Sequence, residues 1–188
     1  MQLDRHDLID GLRELVHQTH EQGISGVSIR IVGGAAIRLA YFERATTADI
    51  DAQIEPIAQI TPIIEQIALD RGWPNDWLNN EAVGFIPAWG QTVDWESIFD
   101  DENVSILVAP IDALLAMKLN AARPGRDTDD IANLLALNGI ESIDGAESLF
   151  ESFYPGDALK ERTIILLERL FEVGIPDAPE RPTTPELG

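Results

Sequence analysis

The sequence predicts a mixed α/β protein: a small mixed sheet with flanking helices over residues 1–109, a helical region over 110–173, and a mobile tail over 174–188. Three observations carry this reading. Short apolar runs at Val27–Val32, Ala48–Ile54 and Val104–Val108 read as strands, and stretches with helical spacing separate them. Glycine, proline and asparagine punctuate the first half. From Pro110 onward one helical pattern follows another.

Taken in order, residues 4 to about 20 form an amphipathic helix with Leu8, Leu12, Leu15 and Val16 on one face. His17 and His20 lie one turn apart near its end, without a third ligand in view, and read as solvated histidines at a helix C-terminus. After a Gly23–Gly26 turn comes the first strand, Val27–Val32, then a helix over Gly34–Glu43 and a second strand over Ala48–Ile54. Thr61-Pro62 has the chemistry of a helix start, with Thr as cap and Pro in the first turn, and that helix ends at Gly72. A connection rich in tryptophan and asparagine follows, then candidate strands at Val83–Ile86, Thr92–Trp95 and Val104–Val108. Helices are expected over Pro110–Ala122, Asp127–Asn138, Ala146–Phe153 and Asp157–Glu172. The four tryptophans, Trp73, Trp77, Trp89 and Trp95, read as core packing rather than a base-stacking surface.

Composition bounds the function. The 33 acidic residues outnumber 13 Lys and Arg, for a formal charge of −20, so the surface repels phosphate backbones and DNA is not an expected partner. The absence of cysteine excludes disulfides and thiolate metal sites. No apolar run approaches the roughly 18 residues that span a bilayer, and the N-terminus lacks a signal pattern; a cytoplasmic protein without a membrane partner is the expectation.

Two constellations carry chemistry. In the first, Ile31-Val32-Gly33-Gly34 runs a strand into a glycine pair that opens a helix, and Asp49-Ile50-Asp51 follows on the next strand. Alternation along a strand puts both carboxylates on one side. Two neighbouring aspartates repel, and a divalent cation between them removes the conflict. Backbone N–H groups at a glycine-opened helix N-terminus suit the phosphates of a nucleoside triphosphate.

The second constellation is Lys118, which falls inside the apolar arc of helix 110–122, while Asp127 and Asp130 fall on the inward side of helix 127–138. A tight Arg123–Arg126 link folds the two helices into an antiparallel hairpin, so Lys118 and Asp130 face each other. One reading is a buried inter-helix salt bridge with Asp127 as a helix cap. The other sets Lys118 against a triphosphate or leaving group, with Asp130 orienting it.

Val32-Gly33-Gly34-Ala35 and Thr47-Ala48-Asp49-Ile50-Asp51 together resemble the core motif of the polymerase-β-type nucleotidyltransferase superfamily. Leu114 to Leu119, Ala121-Ala122-Arg123 and Arg126-Asp127 through Asp130-Ile131 resemble the downstream lysine helix and R–D helix of one group within it. That group is the small bacterial nucleotidyltransferase-like proteins related to AbiE-type abortive-infection toxins, and the resemblance spans residues 27 to 138. It implies Gly33, Gly34, Thr47 and Lys118 as nucleotide-binding residues, Asp49 and Asp51 as ligands of Mg²⁺, and Asp49, Asp51, Lys118 and Asp130 as the catalytic set.

The activity implied is transfer of a nucleotidyl group from an NTP to a hydroxyl of an RNA or protein acceptor, as the toxin of a toxin–antitoxin pair with an antitoxin partner. The alternative is a catalytically degenerate nucleotide- or metal-binding interaction module. Three departures accompany the match. Arg44 stands one residue further from the aspartates than in the family pattern, Asn133 replaces a second aspartate, and Asp94 is the best candidate for a third metal carboxylate.

Overall fold

The computed structural model of the chain describes residues 2–44, 47–123 and 125–188. Pro124, in the expected link between the hairpin helices, lies outside the described residues. The fold is mixed α/β, with a five-stranded mixed sheet and seven α-helices among the described residues. The chain divides into two compact units: Met1–Gly84, Trp95–Ala109 and Arg181–Gly188 form unit 1, and Phe85–Asp94 with Pro110–Glu180 form unit 2. No helix among the described residues is long and apolar enough to cross a membrane.

Unit 1 begins with α1 (Arg5–Glu21), which starts in a reciprocal cap. The Asp4 carboxylate accepts from the Asp7 amide and the Asp7 carboxylate from the Asp4 amide, each at 2.9 Å. Strands β1 (Val27–Ile31), β2 (Ile50–Glu55), β3 (Leu78–Asn79), β4 (Glu96–Asp100) and β5 (Val104–Val108) lie in the order β3-β2-β1-β5-β4. β1 pairs antiparallel with β2 and parallel with β5. Helix α2 (Gly33–Ala40) joins β1 to β2, and α3 (Ile57–Arg71) leads towards β3. Leu8, Leu12 and Leu15 of α1 are fully buried, as are Ile29, Ile31, Ile50 and Ile106 of the sheet.

Several boundaries differ from the sequence expectation, each for a local reason. β2 starts at Ile50 rather than Ala48, because Thr47 exchanges both backbone hydrogen bonds with Leu3 and holds the chain off the sheet until then. α2 stops at Ala40 rather than Glu43; Tyr41 and Phe42 turn inward, and the Tyr41 hydroxyl donates to the Ala109 carbonyl at 2.9 Å. α3 starts at Ile57, so Thr61 does not cap it but donates back to the Ile57 carbonyl. Pro62 then sits inside the helix, where its missing N–H forfeits one bond that the burial of Ile60, Ile63, Ile64 and Ile67 outweighs.

The expected strand Val83–Ile86 is instead a 3-10 turn, Glu81–Phe85, none of whose residues is buried against a partner. Thr92–Trp95 is irregular. The strand lies just after it, because the Asp101 carboxylate accepts from the amides of Asn103 and Val104 and so places the β4–β5 turn. Trp77 is fully buried, touches Trp73 edge-on and donates its indole N–H to the Ile64 carbonyl, whereas Trp89 in unit 2 is 92% exposed. His17 and His20 face carboxylates, Glu21 at 3.4 Å and Asp101 at 2.7 Å. Residues 181–188, within the stretch expected to be mobile, lie against unit 1: Leu187 is buried, and Arg13 donates to the Glu186 carbonyl.

Unit 2 is helical: α4 (Ile111–Ala121), α5 (Thr128–Asn138), α6 (Ile143–Phe153) and α7 (Glu161–Val173). Ser142 caps α6 through the Gly145 amide, three residues ahead of the expected start. The last carbonyls of α4 are covered from α7 and its approach. Lys160 donates to Asn120, Arg162 to Ala121 and Thr163 to Leu119.

Candidate functional site

Unit 1 gathers one group of the residues singled out by sequence. β1 ends against β2, with the Val32 amide donating to the Asp51 carbonyl at 2.9 Å. The chain then turns through Gly33 at φ +65°, a left-handed conformation that side-chain-bearing residues disfavour. A Cβ at Gly33 would lie 3.3 Å from Oδ2 of Asp51, so the turn rests directly on that carboxylate. Gly34 is required for space instead. A Cβ there would collide with Nη1 of Arg44 and stand 3.2 Å from Oγ1 of Thr47. The Thr47 hydroxyl donates to the Asp49 carbonyl at 3.2 Å.

Burial alternates along β2, with Ile50, Ala52 and Ile54 buried and Asp51 and Gln53 half-buried. Asp49, half-buried, sits in the bend just ahead of the strand rather than on it, and keeps the same phase. Asn79, on the short strand β3, is the register partner of Asp51, and its amide reaches Oδ2 of Asp49 at 3.5 Å, the outer limit of a hydrogen bond. Asn79 was not identified from sequence: a two-residue strand within a polar connection has no periodicity to reveal it.

The chemistry of these donors suits a hard cation. Two carboxylates are oxygen ligands of the type Mg²⁺ takes, and water commonly completes its shell, whereas Asn79 turns its amide nitrogen to Asp49 and its oxygen accepts from the Glu81 amide. Among the described residues, no three His, Cys, Asp or Glu side chains gather into a larger metal-holding group. Asp94, the expected third carboxylate, lies exposed in the irregular segment that belongs to unit 2.

Unit 2 holds the other group. Lys118 is 5% exposed, and its ammonium contacts Oδ1 of Asp127 at 2.7 Å and Oδ2 of Asp130 at 2.8 Å. Asp127 is fully buried and accepts three further bonds from Arg123: its amide at 3.0 Å, Nε at 3.0 Å and Nη2 at 3.2 Å. The expectation that Asp127 caps α5 is corrected, since its side chain makes no capping bond there. It ties Lys118 and the α4–α5 link instead. The signal available in the sequence was the Arg123–Asp127 spacing of four residues.

Burial alone would raise the Asp127 pKa, but the Arg123 hydrogen bonds and the Lys118 charge overcome that and hold it at about 2. Two cations and two carboxylates therefore make a cluster with no net charge. Comparison of the chain with family models, curated proteins and solved structures found no match.

Proposed function

We propose that the protein is a Mg²⁺-dependent nucleotidyltransferase, moving a nucleotidyl group from an NTP to an acceptor hydroxyl of RNA or protein. The observation that carries this reading is the contact between the Gly33 turn and Asp51, with Asp49 and Asn79 beside it. A glycine-opened helix N-terminus, suited to phosphate, thus adjoins a pair of acidic side chains suited to a metal. In this reading Asp49 and Asp51 hold Mg²⁺, which would supply charge stabilisation on the phosphates. Gly33, Gly34 and Thr47 position those phosphates, and the rate comes from orientation and electrostatics.

Lys118 and Asp130 enter the catalytic set through the sequence resemblance, as does the role of toxin with an antitoxin partner in the cytoplasm. The pairing of Lys118 with two carboxylates favours a second reading, a nucleotide- or metal-binding interaction module without turnover. Calorimetry with Mg-ATP separates both from a scaffold: the wild-type chain should bind, and Asp49→Asn with Asp51→Asn should lose binding by at least about tenfold. Incubation with each labelled NTP and cell extract then separates enzyme from module. Label transferred to a macromolecule supports catalysis, and binding without transfer under any NTP favours the module.

A further inference from the structure

Residues 181–188 form no helix or strand, yet they are held in place along unit 1. Two arginines of α1 fix their backbone. Arg5 donates to the Thr183 carbonyl at 2.6 Å and Arg13 to the Glu186 carbonyl at 2.8 Å. Eight positions along a helix advance about 12 Å, and three extended residues cover about 10 Å. The segment therefore lies extended along α1 and runs in the same direction. Side chains fix it too. Pro185 and Leu187 are buried, and the Arg181 guanidinium stands 4.9 Å from the centroid of the Tyr41 ring, with Nη1 3.5 Å from Oε2 of Glu96.

These are the contacts of a bound ligand more than those of a core element. No backbone–backbone hydrogen bond joins residues 175–188 to an element among the described residues. The preceding residues, 174–180, are largely exposed and belong to unit 2, so the segment packs apart from its chain neighbours. Pro182 and Pro185 fix their φ angles and hold the segment extended before it docks, which lowers the entropy lost on binding. Segments with prolines at this spacing dock on surfaces that offer aromatic rings. Tyr41 supplies one, and Phe99 a second: a Cβ on Gly188 would meet its ring at 3.0 Å. The groove is also larger than its occupant. A cavity of about 580 Å³ opens beside Leu187, lined too by Val16, His17, His20 and Arg71.

We propose that this face of unit 1 is a peptide-docking groove. Its ligand is an extended segment, Arg-Pro-Thr-Thr-Pro-Glu-Leu, which residues 181–187 supply in cis and the same segment of a second copy of the chain supplies in trans. Arg5 and Arg13 read backbone carbonyls, which any sequence offers, while the seats of Arg181 and Leu187 read side chains. Tethering through residues 174–180 gives the cis segment an effective concentration on the order of millimolar, so it blocks the groove until it is released. None of the residues assigned to nucleotidyl transfer takes part, so the groove stands or falls separately from that reading.

Fluorescence anisotropy with a fluorescein-labelled peptide of residues 179–188, standing for the second copy, tests this on the full chain. Leu187→Asp should release the cis segment; that chain should keep the wild-type helix content by circular dichroism and bind the peptide. The wild type, its groove filled, should bind at least about tenfold more weakly. A peptide that itself carries Leu187→Asp should not bind the released chain. Adding Arg13→Ala to the released chain should weaken binding about tenfold, because the Glu186 carbonyl loses its charged donor. Should Leu187→Asp fail to fold, Leu187→Ala decides by the same titration, and failure of both would make the segment part of the core and overturn the proposal. No peptide binding by a folded, released chain overturns it. Equal binding by wild type and released chain, equal binding of the two peptides, or binding unchanged by Arg13→Ala does so as well, since each puts the peptide elsewhere.

Discussion

The two polar groups of this protein are built on opposite principles. In unit 2, Lys118, Asp127 and Asp130 are almost wholly buried, and each charge meets an opposite one within 2.8 Å. In unit 1, Asp49, Asp51 and Asn79 are half-buried at one side of the sheet and stand beside glycines that leave room. The first group has the character of a structural tie, because removing one partner of a buried ion pair leaves the opposite charge uncompensated. The second presents half-buried carboxylate oxygens of the type a hard cation takes.

The sharpest way to break this comparison is to remove the lysine. Lys118→Met should destabilise the fold by about 3–5 kcal/mol, since it leaves Asp127 and Asp130 buried without their shared cation. Urea denaturation measures it, and a loss below about 1 kcal/mol would show that the cluster is not the tie described. Asp49→Asn in the same assay should change stability by no more than about 0.5 kcal/mol, or raise it, because it relieves repulsion between neighbouring carboxylates.

Acid gives a smaller effect of known sign. The folded-state pKa of Asp127 is depressed to about 2, so its stabilisation is fully present above the ordinary value of 3.8 and is lost as pH falls towards 2. The contribution is about 2 kcal/mol, reached by fits of unfolding free energy against pH. Asp127→Asn should flatten that part of the profile. A profile of unchanged steepness in the variant would assign the acid sensitivity to other carboxylates.

A further loss of stability falls on the glycine turn. Gly33→Ala must hold alanine at φ +65° and set its Cβ 3.3 Å from Asp51 Oδ2, for a cost of about 1–2 kcal/mol. Its effect on Mg-ATP binding should be larger in proportion, because the substitution displaces the carboxylate that the proposed site depends on. A variant with normal binding and normal stability would show that the turn does not set the position of Asp51.

What was legible in the sequence follows from how far each signal reaches. The apolar periodicity of Leu8, Leu12 and Leu15, or of Ile29 and Ile31, is a property of contiguous residues and gives helices and strands near their observed places. Ends of elements depended on distant partners: Leu3 reaching Thr47 delays β2, and Tyr41 reaching Ala109 shortens α2. In the site, Gly33 and Asp51 were readable because one turn and one strand bring them together. Asn79 was not, since it depends on a long connection returning to the sheet edge.

The contrast between Trp77 and Trp89 also equips the molecule with its own optical labels. Trp89 is the sole tryptophan of unit 2 and stands almost fully in water, so iodide should quench it readily and its emission should lie to the red. Trp77, sealed in unit 1 with its indole nitrogen bonded to a backbone oxygen, should emit to the blue and resist the quencher until that unit melts. In a denaturation series the blue emission would then report the melting of unit 1 against the steady red emission of Trp89, with no dye attached.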